Sequence, residues 1–229
     1  MTVRVIAFDL DDTLWPVKPV ITGAEKALNR WLGGSIRDWP AAARNMGAIR
    51  DQLLIRDPTL SYQLTELRCK CITEALDRHG KSNARQIAEE AMEVFLHARH
   101  DVEYFDGAEE CLADLSTRFV LGALSNGNAD VRRLTIASHF SFSFSAEDVG
   151  APKPAPNLFE AALAETRVSA SEVVYVGDDP VLDIDAANRF GMRSIHVING
   201  KTSQKVGDTE PDLVIEHIRD LPHAITEFC

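Results

Sequence analysis

One feature constrains the fold of this chain more than any other: three short apolar runs that each stop abruptly at a polar tip. The first, Val5-Ile6-Ala7-Phe8, ends in Asp9-Leu10-Asp11-Asp12-Thr13. The second, Phe119-Val120-Leu121-Gly122-Ala123-Leu124, ends in Ser125-Asn126-Gly127. The third, Val173-Val174-Tyr175-Val176, ends in Gly177-Asp178-Asp179. Runs this short and this uniformly apolar read as strands buried on both faces. Helical patterns follow them, so the sequence predicts an α/β fold with a doubly wound parallel sheet. Ligands bind beyond the carboxyl ends of the strands in such sheets, which is where the three polar tips must converge.

The remaining elements fit that frame. Asp106 with Glu109 three residues on reads as a capping box opening a helix to about Thr117. A helix is expected from Ala129 to Ser138. Phe140, Phe142 and Phe144 alternate with serines as a short strand. Pro156 to Thr166 reads as a helix with proline in its first turn. Asp179 fits an N-cap, Pro180 the first helical position and Gly191 the C-terminal stop. Ser194 to Ile198 and Leu213 to Ile215 complete the sheet.

Between the first and second tips the texture is different. From about Val20 to His100 the apolar residues recur at helical spacing, as in Ile21, Ala24, Leu28 and Trp31, or Leu60, Leu64, Leu67, Cys71 and Ala75. Gly33-Gly34, Asp57-Pro58 and Gly80 read as turns between these helices. The expectation is a separate all-helical domain over residues 17–103, inserted into a core made of 1–16 and 104–229.

Charge narrows the partners. The chain carries 24 Lys and Arg against 35 Asp and Glu, a net charge of −11. That disfavours a nucleic acid polymer, whose backbone calls for a basic footprint, and an anionic membrane surface. The run after Met1 is too short for a signal-peptide core, and no apolar stretch reaches the roughly 20 residues of a membrane span. The four cysteines, Cys69, Cys71, Cys111 and Cys229, read as reduced thiols of a cytoplasmic protein.

Several carboxylates converging at one point repel one another unless a counter-charge is present. A hard divalent cation answers this, and Mg²⁺ takes one or two carboxylates together with a substrate phosphate. Asp9 and Asp11 are two apart on an extended run and start from the same side of the chain. One can attack while the other handles a proton. Ser125 and Asn126, where a strand gives way to a helical pattern, offer backbone N–H groups to phosphate oxygens. Lys153, in Ala151-Pro152-Lys153-Pro154, adds a point charge for the same group.

These four pieces, in this order, resemble the haloacid dehalogenase-like hydrolase superfamily: Phe8 to Leu14, Leu124 to Gly127, Lys153-Pro154, and Gly177-Asp178-Asp179 with Asp183 beyond. The resemblance covers essentially the whole chain. It implies that Asp9 is the nucleophile of a phospho-aspartyl intermediate and Asp11 the general acid and base. It implies that the Asp9 carboxylate, the Asp11 carbonyl and Asp178 bind Mg²⁺, and that Ser125, Asn126 and Lys153 hold the phosphoryl group. Asp183 is expected to orient Lys153 or a water on the metal, and Thr13 to tie down the loop after Asp11. True dehalogenases of this superfamily lack an acid two positions after the nucleophile, so Asp11 implies phosphate ester hydrolysis instead. The helical insertion matches the place of the family's type 1 cap, which implies a small phosphorylated metabolite as substrate. Within the family the likeness is to bacterial phosphatases of FMN and 5-amino-6-(5-phosphoribitylamino)uracil, with nucleotidases and phosphoglycolate or sugar phosphatases as the alternatives. Trp15, directly after the first motif, is the candidate aromatic facing that substrate. The oligomeric state is left open.

Overall fold

A computed structural model describes residues 2–200 and 206–228. The chain forms two compact units, one from residues up to Val17 and from Val102 onward, the other from Lys18–Asp101. Cys229 lies outside the described residues.

The first unit is built on a six-stranded sheet in the order β3-β2-β1-β4-β5-β6. Its strands are β1 (Val5–Phe8), β2 (Val120–Ser125), β3 (Phe142–Ser145), β4 (Val173–Gly177), β5 (Arg193–Val197) and β6 (Leu213–Ile215). All neighbours pair in parallel. Every residue of β1 and β4 is buried, as their unbroken apolar runs require. Ala7 lies opposite Gly122 on one side and Tyr175 on the other, so the carboxyl ends of β1, β2 and β4 finish level. The chain steps outward from β1 through β2 to β3, then returns to place β4 on the other flank. The switch point therefore falls between β1 and β4, between Asp9 and Asp178. Gly122 is required by packing: a Cβ there would stand 2.0 Å from the Phe142 ring on β3.

The second unit is helical in its described elements. Helices Val17–Ser35, Met46–Arg56, Leu64–Asp77 and Ala84–Arg99 bury Leu28, Leu32, Ile49, Ile72, Ala91 and Phe95 in one cluster. Gly33-Gly34 does not break the first helix, which continues to Ser35. Trp39 is buried, its indole N–H donating to Asn29 Oδ1 at 3.0 Å. Trp31 packs half-buried on the cluster, and Arg68 pairs with Glu25 at 2.8 Å while lying over the Phe95 ring. Cys69, Cys71 and Cys111 are free and buried. No helix among the described residues is long and apolar enough to cross a membrane.

Two further local expectations fail. The segment expected as one helix over 129–138 forms two 3₁₀ turns, Val131–Arg133 and Thr135–His139, broken by Leu134 in an extended conformation. Asp106 does not cap the helix Ala108–Ser116. Gly107, at φ +76°, takes the cap position, Asp106 pairs with Arg219, and Glu109 accepts from Thr135 Oγ1. At Asp106 and Glu109, tertiary partners outcompete the local capping box.

Candidate active site

Asp9 leaves β1 with its N–H still bonded to Val176 O at 2.9 Å, so the sheet ladder fixes its backbone. The chain then turns tightly. Leu14 N–H donates to Leu10 O at 2.9 Å, Asp12 adopts φ +65°, and Asp12 N–H donates to Trp15 O at 2.7 Å. Asp12 Oδ1 accepts from Val17 N–H at 2.9 Å. Asn199, just beyond β5, donates to the carbonyls of Asp12 and Thr13 at 3.2 and 3.0 Å. Asp9, Asp178 and Asp183 each offer a carboxylate oxygen within 4.8 Å of the others, the only such acidic, thiol or imidazole cluster among the described residues. Thr13 is fully buried, and its hydroxyl lies 3.3 Å from Asp9 Oδ2 and 3.4 Å from Asp178 Oδ1.

Lys153 supplies the counter-charge. The residue is 3% exposed, and its ammonium donates to Asp9 Oδ1 at 2.7 Å, Tyr175 Oη at 2.7 Å and Asp183 Oδ1 at 2.6 Å. An ammonium has three N–H donors, and all three have acceptors here. Asn126 holds the loop beneath it, donating from Nδ2 to Lys153 O at 2.9 Å and accepting from Lys153 N–H at 2.6 Å.

The tip after β4 turns Asp183 inward. Asp179 caps the following turn, its Oδ1 accepting from Val181 N–H at 2.9 Å and Leu182 N–H at 3.0 Å. Residues Pro180–Asp185 then wind as a π-helix before Ala186–Arg189 becomes regular helix. That widened turn leaves Asp183 2% exposed, with Oδ2 accepting from Asp179 N–H at 2.9 Å. Gly177 makes room for it, since a Cβ there would lie 2.5 Å from Asp183 Cγ. His196 Nε2 donates to Asp178 O at 3.0 Å.

One ammonium faces three carboxylates, and the titration behaviour follows. Burial pushes Asp9 up from 3.8 to about 8, and the charges of Asp183 and Asp178 add to this against the pull of Lys153. Burial alone would lower Lys153, but Asp183 and Asp9 outweigh it and hold the ammonium well above its ordinary value. Burial, with Asp183 and Asp9 beside it, keeps the Tyr175 phenol protonated far above its usual range.

The other expected residues have the following places. The Asn126 carboxamide is engaged by the Lys153 main chain, which leaves the expected phosphate contact to main-chain N–H groups. Ser125 is 2% exposed, and its Oγ accepts from Gly127 N–H at 2.9 Å. Trp15 does not present its ring outward. It is fully buried, edge-on to Tyr104 at 5.9 Å, with its indole N–H on Asp11 Oδ1 at 2.9 Å. Tyr175, His196 and Asn199 were not singled out from the sequence. Tyr175 had one available signal: it shares a strand face with Gly177, two residues before the third tip.

Comparison with known proteins agrees with this arrangement. The haloacid dehalogenase-like hydrolase family matches residues 3–191. The 5-amino-6-(5-phospho-D-ribitylamino)uracil phosphatase of Escherichia coli is 27% identical, over 84% of this chain and 82% of its own. The phosphoserine phosphatase of Thermus thermophilus is 32% identical, over 67% of this chain and 63% of its own. A crystal structure of a 2-haloacid dehalogenase from Pseudomonas syringae superposes with a TM-score of 0.91 at 39% identity, over 100% of both chains. The chain belongs to the haloacid dehalogenase-like hydrolases, and its curated relatives named here are phosphatases of that family.

Proposed function

We propose that the chain is a Mg²⁺-dependent phosphatase that moves the phosphoryl group of a small phosphate ester onto Asp9 and then to water. The observation that carries this is the pairing of Asp9 and Asp183 with one buried lysine, beside Asp178 and two residues from Asp11. The donor set fits a hard divalent cation: three carboxylates and a single ammonium leave excess negative charge for it to offset. Asp9 and Asp178, with the Asp11 carbonyl, would hold the ion, and Asp183 stands within the same cluster. Bound there, Mg²⁺ supplies charge stabilisation for the phosphoryl oxygens.

In the first step Asp9 attacks phosphorus as a carboxylate while Asp11 gives its proton to the departing oxygen. In the second, Asp11 takes a proton from the water that opens the acyl phosphate. Lys153 moves part of its hydrogen bonding to the phosphoryl oxygens, and main-chain N–H groups at Ser125 and Asn126 take up others. The helical unit Lys18–Asp101 interrupts the catalytic unit at the place of the family's type 1 cap.

The substrates proposed first are 5-amino-6-(5-phosphoribitylamino)uracil and FMN, the former supported by the Escherichia coli relative that matches most of both chains. Wild-type enzyme is expected to hydrolyse p-nitrophenyl phosphate only with Mg²⁺, and Asp9→Asn to lose that activity. Full activity in Asp9→Asn contradicts the mechanism. A panel with nucleotides, phosphoserine, sugar phosphates and phosphoglycolate ranks substrates by kcat/KM, and a bottom ranking for both leading esters removes them.

A second reading rests on the Pseudomonas syringae structure, which is called a 2-haloacid dehalogenase and is 39% identical. Release of halide from 2-chloropropionate without Mg²⁺ would favour it. Asp11 is the residue that argues for the phosphatase.

A further inference from the structure

Trp15 is fully buried in the turn that carries the candidate acid, and its indole N–H is directed at that acid. Its Nε1–H donates to Asp11 Oδ1 at 2.9 Å. Asp11 and Trp15 form an isolated bridge, closed by Asp12 N–H on Trp15 O at 2.7 Å. The ring is held edge-on by Tyr104 at 5.9 Å, and Phe105 N–H donates to Leu14 O at 2.9 Å beside it. The donor is thus rigid and 0% exposed, with no bulk water competing for it.

We infer that Trp15 is a positioning residue for the general acid: its indole N–H fixes which oxygen of Asp11 carries the proton to the leaving group. The inference rests on the phosphatase reading above. An indole N–H only donates, so the oxygen facing it must remain an acceptor in both protonation states of Asp11. The transferable proton is therefore confined to Oδ2, and rotation about Cβ–Cγ is restricted. As the Asp9–phosphorus bond forms and the ester P–O bond breaks, the leaving oxygen collects the Oδ2 proton and Asp11 is left as carboxylate. It recovers a proton on the same oxygen from the water of the second step. Without the indole donor the restraint on Oδ1 is lost, and the fraction aligned for transfer falls.

A misplaced acid harms poor leaving groups far more than good ones, because p-nitrophenolate departs with little help. The test measures kcat/KM across substituted phenyl phosphates, from p-nitrophenyl to p-methoxyphenyl, for wild type, Asp11→Asn and Trp15→Phe. This constant covers only the steps up to leaving-group departure. Trp15→Phe is expected to lose about tenfold or more on p-methoxyphenyl phosphate, the size of one hydrogen bond to a charged group, and less than about threefold on p-nitrophenyl phosphate. Asp11→Asn should show a steeper version of the same dependence. Equal loss on all esters, or no loss, overturns the role of Trp15 while leaving Asp11 as the acid. An Asp11→Asn series parallel to wild type overturns the acid assignment and the inference with it. Should Trp15→Phe fold poorly, 3-benzothienylalanine at position 15 keeps the ring shape, replaces N–H by sulfur, and must reproduce the leaving-group dependence.

Discussion

The Asn126 carboxamide and the Lys153 main chain hold each other twice, through Nδ2 to the carbonyl at 2.9 Å and from N–H to Oδ1 at 2.6 Å. This pair ties the tip of β2 to the loop bearing the buried ammonium. Asn126→Ala should lose both bonds and cost about 1–3 kcal/mol of stability in urea unfolding. Asn126→Asp keeps the acceptor and loses the donor, so it should fall between. An alanine variant as stable and as active as wild type would show that the clasp does not hold Lys153.

Lys153→Met removes the sole ammonium from between Asp9 and Asp183, which are 7% and 2% exposed. Breaking a buried pair at one partner typically costs about 3–5 kcal/mol. Because the excess charge in this variant is larger, MgCl₂ should raise its unfolding midpoint more than it raises that of wild type. Equal shifts in the two proteins would mean that no cation settles among these carboxylates.

The raised Asp9 carboxyl gives metal binding a defined pH dependence. Between 3.8 and about 8 the metal-free folded state keeps a proton on Asp9 that the unfolded chain has lost. The stability from this group is therefore present at low pH and lost as pH rises through about 8. A cation must displace the proton, so Mg²⁺ affinity should climb with pH up to about 8 and then level off. Calorimetry in buffers of different ionisation enthalpy should find close to one proton released per ion at neutral pH, and none in Asp9→Asn. Binding that ignores pH contradicts the assignment.

Tyr175 stands between Lys153 and the main chain of β2. Its oxygen accepts from Lys153 Nζ at 2.7 Å and lies 3.2 Å from both Leu124 O and Asp183 Oδ1. Tyr175→Phe leaves one ammonium donor without its acceptor, and a hydrogen bond to a charged group is worth about 1.5–3 kcal/mol. We expect kcat to fall about 10- to 100-fold with the fold intact by circular dichroism. An unchanged kcat would reduce Tyr175 to packing.

The parts legible in the sequence are those set by local pattern. The apolar runs ending at Asp9, Ser125 and Gly177 mark the strands, and parallel pairing brings their tips level. Asp9 and Asp178 stand out because charged residues at such tips need partners, Lys153 as a counter-charge in a proline-rich turn, and Asp183 through the resemblance to the family. Tyr175 lay hidden inside an apolar strand, where any aromatic reads as core. Asn199 and His196 act on carbonyls of Asp12, Thr13 and Asp178, contacts that no spacing in the chain announces. The inward place of Trp15 is hidden for the same reason. Its position after the first motif is visible, but the left-handed Asp12 turn that folds its indole back onto Asp11 is not.

The central claim is that Asp9 becomes covalently phosphorylated. Rapid acid quench during turnover of p-nitrophenyl phosphate, followed by peptide mass spectrometry, tests it directly. The account predicts one added phosphoryl group on the peptide containing Asp9, lost on hydroxylamine treatment and accumulating in Asp11→Asn. A turning-over enzyme that never carries phosphate on that peptide, in either protein, would contradict it.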